Sequence, residues 1–183
     1  MATEGSKETN TSPSLGNLLS WLVFLLVVAY LIYQQAPLYY DNFRQRGQPF
    51  PQVSVLHLKD GQVRSFPPDA GPILAVFWAS NCGPCLLEMG RLKSAVENDK
   101  IPGERIFAIN PYETRAEIFQ FLQESPYPFQ FIDDRGVLAG ELNVRVTPTF
   151  VWLEANRILK ITTGVHLIGH FELERFLKNE PGH

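Results

Sequence analysis

The only two cysteines of the 183-residue chain stand together as Cys82-Gly83-Pro84-Cys85. Sulfur at that spacing can carry out dithiol–disulfide exchange or supply half of a zinc site. Before the pair runs Ile73-Leu74-Ala75-Val76-Phe77, an apolar stretch that reads as a strand buried on both faces, and Trp78-Ala79-Ser80-Asn81 leads out of it. A helix opening at Cys82 places this sulfur among the unpaired N–H groups of the first turn, where the dipole favours thiolate over thiol. Cys82 is therefore the attacking sulfur, and Cys85, one turn further in and more buried, resolves the mixed disulfide. Pro84 fits a first turn, where its missing N–H has no acceptor to lose. Gly83 leaves room for a partner backbone. Zinc would need two more ligands, and none of His57, His166, His170 and His183 forms a second close pair with a cysteine. Redox chemistry without a metal is the expectation, and any disulfide within the monomer is Cys82–Cys85.

The elements that must position this pair fit in one domain, since 183 residues at 45% hydrophobic content suffice for one well-buried core but are short for two. Sixteen Lys and Arg against nineteen Asp and Glu give a net charge of −3, with no basic stripe, which excludes nucleic acid as a partner. Between Glu8 and Asp41 there is no charged side chain, and from Leu18 to Tyr33 only Ser20 interrupts apolar and aromatic residues. Leu15 to Tyr33 as helix would span about 28 Å at ~1.5 Å per residue, enough to cross a bilayer. Trp21 near one end and Tyr30, Tyr33, Tyr39 and Tyr40 at and beyond the other match the aromatic enrichment of membrane interfaces. No small-residue cleavage site follows the run and only Lys7 precedes it, so residues 18–33 read as an uncleaved anchor rather than a signal peptide. Lys7 on one flank against Arg44 and Arg46 on the other leans slightly away from an exported domain. Residues 1–17 read as a disordered tail, and residues 34–51, with Pro37, Pro49 and Pro51, as a linker. The domain is expected over residues 52–180.

Within it, Val53 to Leu58 and Val63 to Phe66 flank the turn Lys59-Asp60-Gly61-Gln62 as a hairpin. Leu86, Met89, Leu92 and Val96 recur at helical spacing after the cysteines, up to about Asn98. Arg105 to Asn110 is a second central strand, and Thr114 with Glu117 caps a helix to Glu124. A short extended stretch over Phe129 to Ile132 and a helical turn or two over Gly136 to Leu142 follow. Thr149 to Leu153 and Ile158 to Thr163 form a second hairpin, and a final helix runs from about Ile168 to Asn179. That order predicts an α/β fold, a mixed sheet with helices on both faces.

A second constellation is Val146-Thr147-Pro148-Thr149-Phe150, a proline directly before an apolar strand. A cis bond is open to Thr147–Pro148, although trans is commoner for X-Pro. Taken together, Phe77-Trp78-Ala79 before the Cys-Gly-Pro-Cys, Val146-Thr147-Pro148-Thr149, and Thr163-Gly164 before the last helix resemble the thioredoxin superfamily over residues 52 to 180. The hairpin, the single anchor and Glu88-Met89 look most like the membrane-tethered TlpA/ResA-like thiol–disulfide oxidoreductases. Asp133-Asp134-x-Gly136 is similar to the copper-tolerance-associated ScsD type. This resemblance implies a cis Pro148 against the cysteines, with Trp78, Gly83, Pro84 and Thr147 around them, Thr147 tuning the thiolate and offering its backbone to a client. It further implies a protein-disulfide oxidoreductase acting on client disulfides, a transmembrane thiol donor of the DsbD type, no cofactor beyond the cysteines, and a bacterial inner-membrane location facing the periplasm. Reduction is the favoured direction. An oxidase or isomerase, or an assembly or metal-tolerance factor that holds partners with little turnover, is the alternative.

Departures from thioredoxin matter here. Val76 stands where that family has a buried aspartate, so a proton acceptor for Cys85 must be solvent or Glu88, although a glutamate there also reads as a surface residue. Asn81 and Leu86 replace a tryptophan and a basic residue, which predicts a more apolar, less cationic rim. Gly90 replaces a proline that kinks the helix.

Overall fold

The computed structural model describes residues 15–68, 71–165 and 170–178. The expected tail up to residue 14, His166, His183 and the start of the last helix lie outside them. The chain divides into two units, Met1–Asp41 and Asn42–His183.

In the first unit the apolar run is helical. Helix α1, Leu15–Arg44, includes one stretch long and apolar enough to cross a membrane, Asn17–Gln34, with mean hydropathy 1.8 and none of it buried inside the protein. The expected linker departs from its reading. The helix backbone runs on through Pro37 to Arg44, although a proline there gives up one N–H donor and crowds the carbonyl four residues back.

The rest of that linker is part of the second unit and is hydrogen-bonded within it. Gly47 N–H donates to Ile158 O at 2.7 Å, Ile158 N–H donates to Gln48 O at 3.0 Å, and Phe50 N–H donates to Asn156 O at 2.9 Å. Phe50 itself is 2% exposed and meets the Phe66 ring edge-on at 5.6 Å. Residues 47–50 thus cover the open edge of the last strand, an edge that would otherwise present unpaired backbone groups.

The sheet has seven strands, β1 (Val53–His57), β2 (Val63–Phe66), β3 (Ile73–Phe77), β4 (Ile106–Ile109), β5 (Gln130–Asp133), β6 (Thr149–Glu154) and β7 (Arg157–Thr163), in the order β2-β1-β5-β4-β3-β6-β7. β3 is an interior strand, parallel to β4 and antiparallel to β6, and all five of its residues are buried. The alternation of a strand sends Leu74 and Val76 to one face and Ile73, Ala75 and Phe77 to the other. On the first face they pack with Met89 and Leu92 of α2 (Gly83–Glu97), Ile118 of α3 (Arg115–Glu124) and Leu173 and Leu177 of α5 (His170–Lys178). On the second they meet Leu138 and Ala139 of α4 (Val137–Glu141), Phe50 and Phe66. This is the expected mixed sheet with helices on both faces.

Local signals account for the boundaries. Thr114 and Glu117 make a reciprocal capping box at the start of α3. β6 and β7 turn through Ala155 and Asn156, both at positive φ, as a two-residue hairpin of right-handed twist requires. A cis bond at Phe66–Pro67 has no counterpart in the sequence reading.

Candidate active site

β3 ends by handing Trp78 to the site. The Trp78 N–H donates to Ile109 O at 3.0 Å, and its side chain is fully buried under Phe121 and Phe131. Four residues on, Cys82 is the N-cap of α2, extended at φ −97°, ψ 100°, and Pro84 occupies the first turn. Cys82 and Cys85 are joined by a disulfide with Cα atoms 5.2 Å apart. The Cys85 N–H donates to Cys82 Sγ at 3.2 Å, so an orphan donor of the helix start is aimed at the sulfur expected to carry charge. Cys82 is half-buried, Cys85 is 0% exposed, and Gly83 and Pro84 are at the surface. One sulfur is open to a partner and the other is reached only through it.

The Pro148 loop closes over this sulfur. Thr147–Pro148 is cis, the Thr147 hydroxyl donates to Cys82 Sγ at 3.7 Å, and the Thr147 carbonyl oxygen lies 3.7 Å from the same atom. Gly164 N–H donates to Pro148 O at 2.8 Å, and Thr149 Oγ1 donates to Val146 O at 2.8 Å, so the ends of β7 and β6 brace the loop. Residues about 65 apart in sequence are brought to one point. Val146 on this loop and Val165, next to Gly164, are 43% and 39% exposed.

Glu88 is not a surface residue. It is 3% exposed on the buried side of α2, and its Oε1 accepts from Arg91 Nη1 at 2.6 Å. Spacing of three residues puts it on the same side of the helix as Cys85, while Val76 offers that cysteine only an apolar neighbour. α2 continues without interruption through Gly90. Among the described residues no group of three or more His, Cys, Asp and Glu is placed to hold a metal.

The sequence reading missed a polar bridge behind the pair. Glu113 Oε1 accepts from the Ser80 N–H at 2.8 Å and from the Ser80 hydroxyl at 2.9 Å, and Glu113 Oε2 accepts from Asn110 Nδ2 at 2.8 Å. Asn110 standing just past an apolar strand and three residues before a carboxylate was the available signal for a fixed turn, but nothing local pointed to Ser80.

No family model matches the sequence. Over 90 residues it is 28% identical to the thiol-disulfide oxidoreductase ResA of Halalkalibacterium halodurans, a match covering 48% of this chain and 51% of that protein. The chain thus spans about half the length of this relative. Among solved structures it is similar to StoA from Bacillus subtilis, with TM-score 0.59 and 19% identity over 69% of this chain and 96% of the other. A putative thiol:disulfide interchange protein DsbE from Chlorobium tepidum gives 0.58 and 24% over 71% and 93%. A thio-disulfide isomerase from Thermus thermophilus gives 0.58 and 22% over 72% and 95%. The chain has the thioredoxin-like fold and is similar to the TlpA/ResA-like thiol–disulfide oxidoreductases.

Proposed function

We propose that this protein is a membrane-tethered thiol–disulfide oxidoreductase that reduces client disulfides. The observation that carries the reading is the Cys82–Cys85 disulfide at the start of α2, with its half-buried sulfur facing the cis Thr147–Pro148 bond. In the dithiol form, the Cys82 thiolate attacks one sulfur of a client disulfide, making a Cys82–client bond and releasing the other client sulfur as thiolate, which takes up a proton. Cys85 then loses its proton and attacks Cys82 Sγ. The internal disulfide forms, the second client thiol leaves, and two electrons have passed to the client. A transmembrane thiol donor of the DsbD type returns the pair to the dithiol.

The proton of Cys85 needs an acceptor inside a site closed to water, and Glu88, buried on the same side of the helix, is the residue proposed for it. Trp78 supports the pair from below, and Gly83, Pro84 and the backbone of Thr147 and Pro148 offer the surface a client strand would meet. Asn17–Gln34 tethers the domain, with the cysteines in an oxidising compartment, the bacterial periplasm.

Replacing Cys85 with Ala tests the reading: reducible mixed disulfides should accumulate on Cys82 and vanish when Cys82 is also changed to Ser. An empty trap, with no turnover of a disulfide substrate, refutes exchange. Equilibration of the pair with glutathione tests direction, and a potential near the ~−120 mV of DsbA refutes reduction. An impermeant thiol reagent that labels Cys82 only after lysis refutes the location. Glu88→Gln should slow the resolving step while the fold still melts at the parent temperature; an unchanged rate removes Glu88 from the mechanism.

A further inference from the structure

We propose that Glu113 is a positioning residue for this exchange, acting through Ser80 to hold Cys82 against the donors that stabilise its thiolate. The proposal rests on the exchange reading for its purpose but not for its test.

Ser80 is two residues before Cys82, in the loop between β3 and α2, where no regular ladder fixes the backbone. Glu113 supplies the missing restraint. One of its oxygens takes both the N–H and the hydroxyl of Ser80, and the other takes the side-chain amide of Asn110. A carboxylate that accepts two bonds from a single residue fixes both the position and the rotation of that residue.

Glu113 is itself held from both sides. On one, Asn110 is 6% exposed and its Oδ1 accepts from the N–H groups of Tyr112 and Glu113, each at 3.1 Å, closing the turn after β4. On the other, Thr114 is the N-cap of α3, with the Glu117 carboxylate returning to the Thr114 N–H at 2.7 Å. The carboxylate is therefore presented by a rigid turn between a central strand and a capped helix. Each polar atom of this bridge has a partner, so it links the β4–α3 loop to the β3–α2 loop without an unsatisfied group.

What the bridge fixes is the approach of Cys82 to two donors, the Cys85 N–H at 3.2 Å and the Thr147 hydroxyl at 3.7 Å. Both favour the thiolate, and both weaken steeply with distance and angle. The Thr147 contact is already long, so a small drift of the Ser80-Asn81 segment would lose it. Through-space charge predicts the opposite sign. A carboxylate near a thiolate disfavours it, so removing Glu113 would then make Cys82 more acidic. The two accounts are separable by direction.

The experiment measures the pH dependence of Cys82 alkylation in the reduced protein for the parent, Ser80→Ala, Glu113→Ala and the double variant, with thermal melting of each. Alkylation requires no client, so it reports even if exchange with clients fails. Positioning predicts that both single variants raise the alkylation midpoint by about half a pH unit, which cuts the thiolate fraction about threefold at pH values well below the midpoint. The double variant should add little to Glu113→Ala, since both act through one bridge. Ser80→Ala keeps the carboxylate and the backbone N–H bond, and so remains a folded probe if Glu113→Ala does not fold. A midpoint that stays at the parent value in Ser80→Ala, or falls in Glu113→Ala, overturns the proposal. So would additive effects of the two variants.

Discussion

Replacing Thr147 with Val removes one hydroxyl and almost no volume, and it isolates the side-chain donor nearest Cys82. The hydroxyl points at Cys82 Sγ from 3.7 Å, across a half-buried site. A hydrogen bond to a charged group contributes about 1.5–3 kcal/mol, and this one, long and partly wetted, is worth about 1 kcal/mol. The bond matters for the thiolate and hardly for the disulfide, whose sulfur carries no charge. Losing it therefore destabilises the reduced form alone. At 1.36 kcal/mol per pH unit, Thr147→Val should raise the alkylation midpoint of Cys82 by about 0.7. At ~30 mV per 1.4 kcal/mol, it should make the potential more negative by up to about 20 mV, read by equilibration with glutathione. Thr147→Ser keeps the donor and should stay near the parent. The reasoning fails if Thr147→Val leaves the midpoint unchanged or lowers it, or if Thr147→Ser shifts as far as Thr147→Val.

Further perturbations report on the scaffold. Phe50→Ala should lower stability by about 3–5 kcal/mol in urea unfolding, because it empties a fully enclosed aromatic site beside Phe66; a loss under 1 kcal/mol would mean residues 47–50 are a loose spacer after all. Gly90→Ala should stabilise by about 0.5–1 kcal/mol, since an added Cβ meets nothing in the middle of α2, whereas at Gly103 it would fall 2.1 Å from Pro128 O and should destabilise; equal effects at the two sites would contradict the packing. His57 is held below its ordinary value of 6.5 by burial and then by Arg64, so on acidification the unfolded chain takes up its proton first. Stability should consequently fall as pH drops below about 6.5, and His57→Phe should flatten that part of the urea-midpoint profile, while a parallel profile would clear His57 of the effect.

How far these residues could be read from sequence depended on how local their partners were. β3 was legible because its apolar run is short and flanked by turn or polar residues, as a strand buried on both faces would be, and α3 because Thr114 and Glu117 cap each other three residues apart. The spacing of the cysteine pair left thiol exchange and half a zinc site open, and the strand before it with Gly-Pro between the sulfurs favoured exchange. Pro148 had no such signal: only its resemblance to a family with a cis proline placed it beside Cys82. Residues 45–51 looked like a linker because Gly and Pro are ambiguous until a partner strand is known, and here the partner is Arg157, over a hundred positions on. The Ser80–Glu113 bridge fails for the same reason, joining two loops 33 residues apart that have no shared periodicity. Glu88 illustrates a different limit. Its charge argued for solvent, but Arg91 one helical turn later covers it, and a buried carboxylate with a cationic partner can be tolerated where an isolated one cannot.

Val76 and Glu88 together bear on where the proton of Cys85 can go. β3 cannot take it, since Val76 is an apolar residue packed in the same cluster as Cys85 and Trp78. A proton acceptor supplied by the strand would sit directly beneath the disulfide and move only with the sheet. One supplied by α2 would move with Cys85, because Cys85 and Glu88 share a continuous helix. Arg91 in turn holds Glu88 from the same helix. In the exchange proposed above, Cys85 resolves after Cys82 has bound a client, and a partner that covers Cys82 would also exclude water from Cys85. Under that cover the buried route along α2 is the one that remains, and the resolving step should depend on Glu88 most strongly for large protein clients and least for small disulfides that leave the site wet.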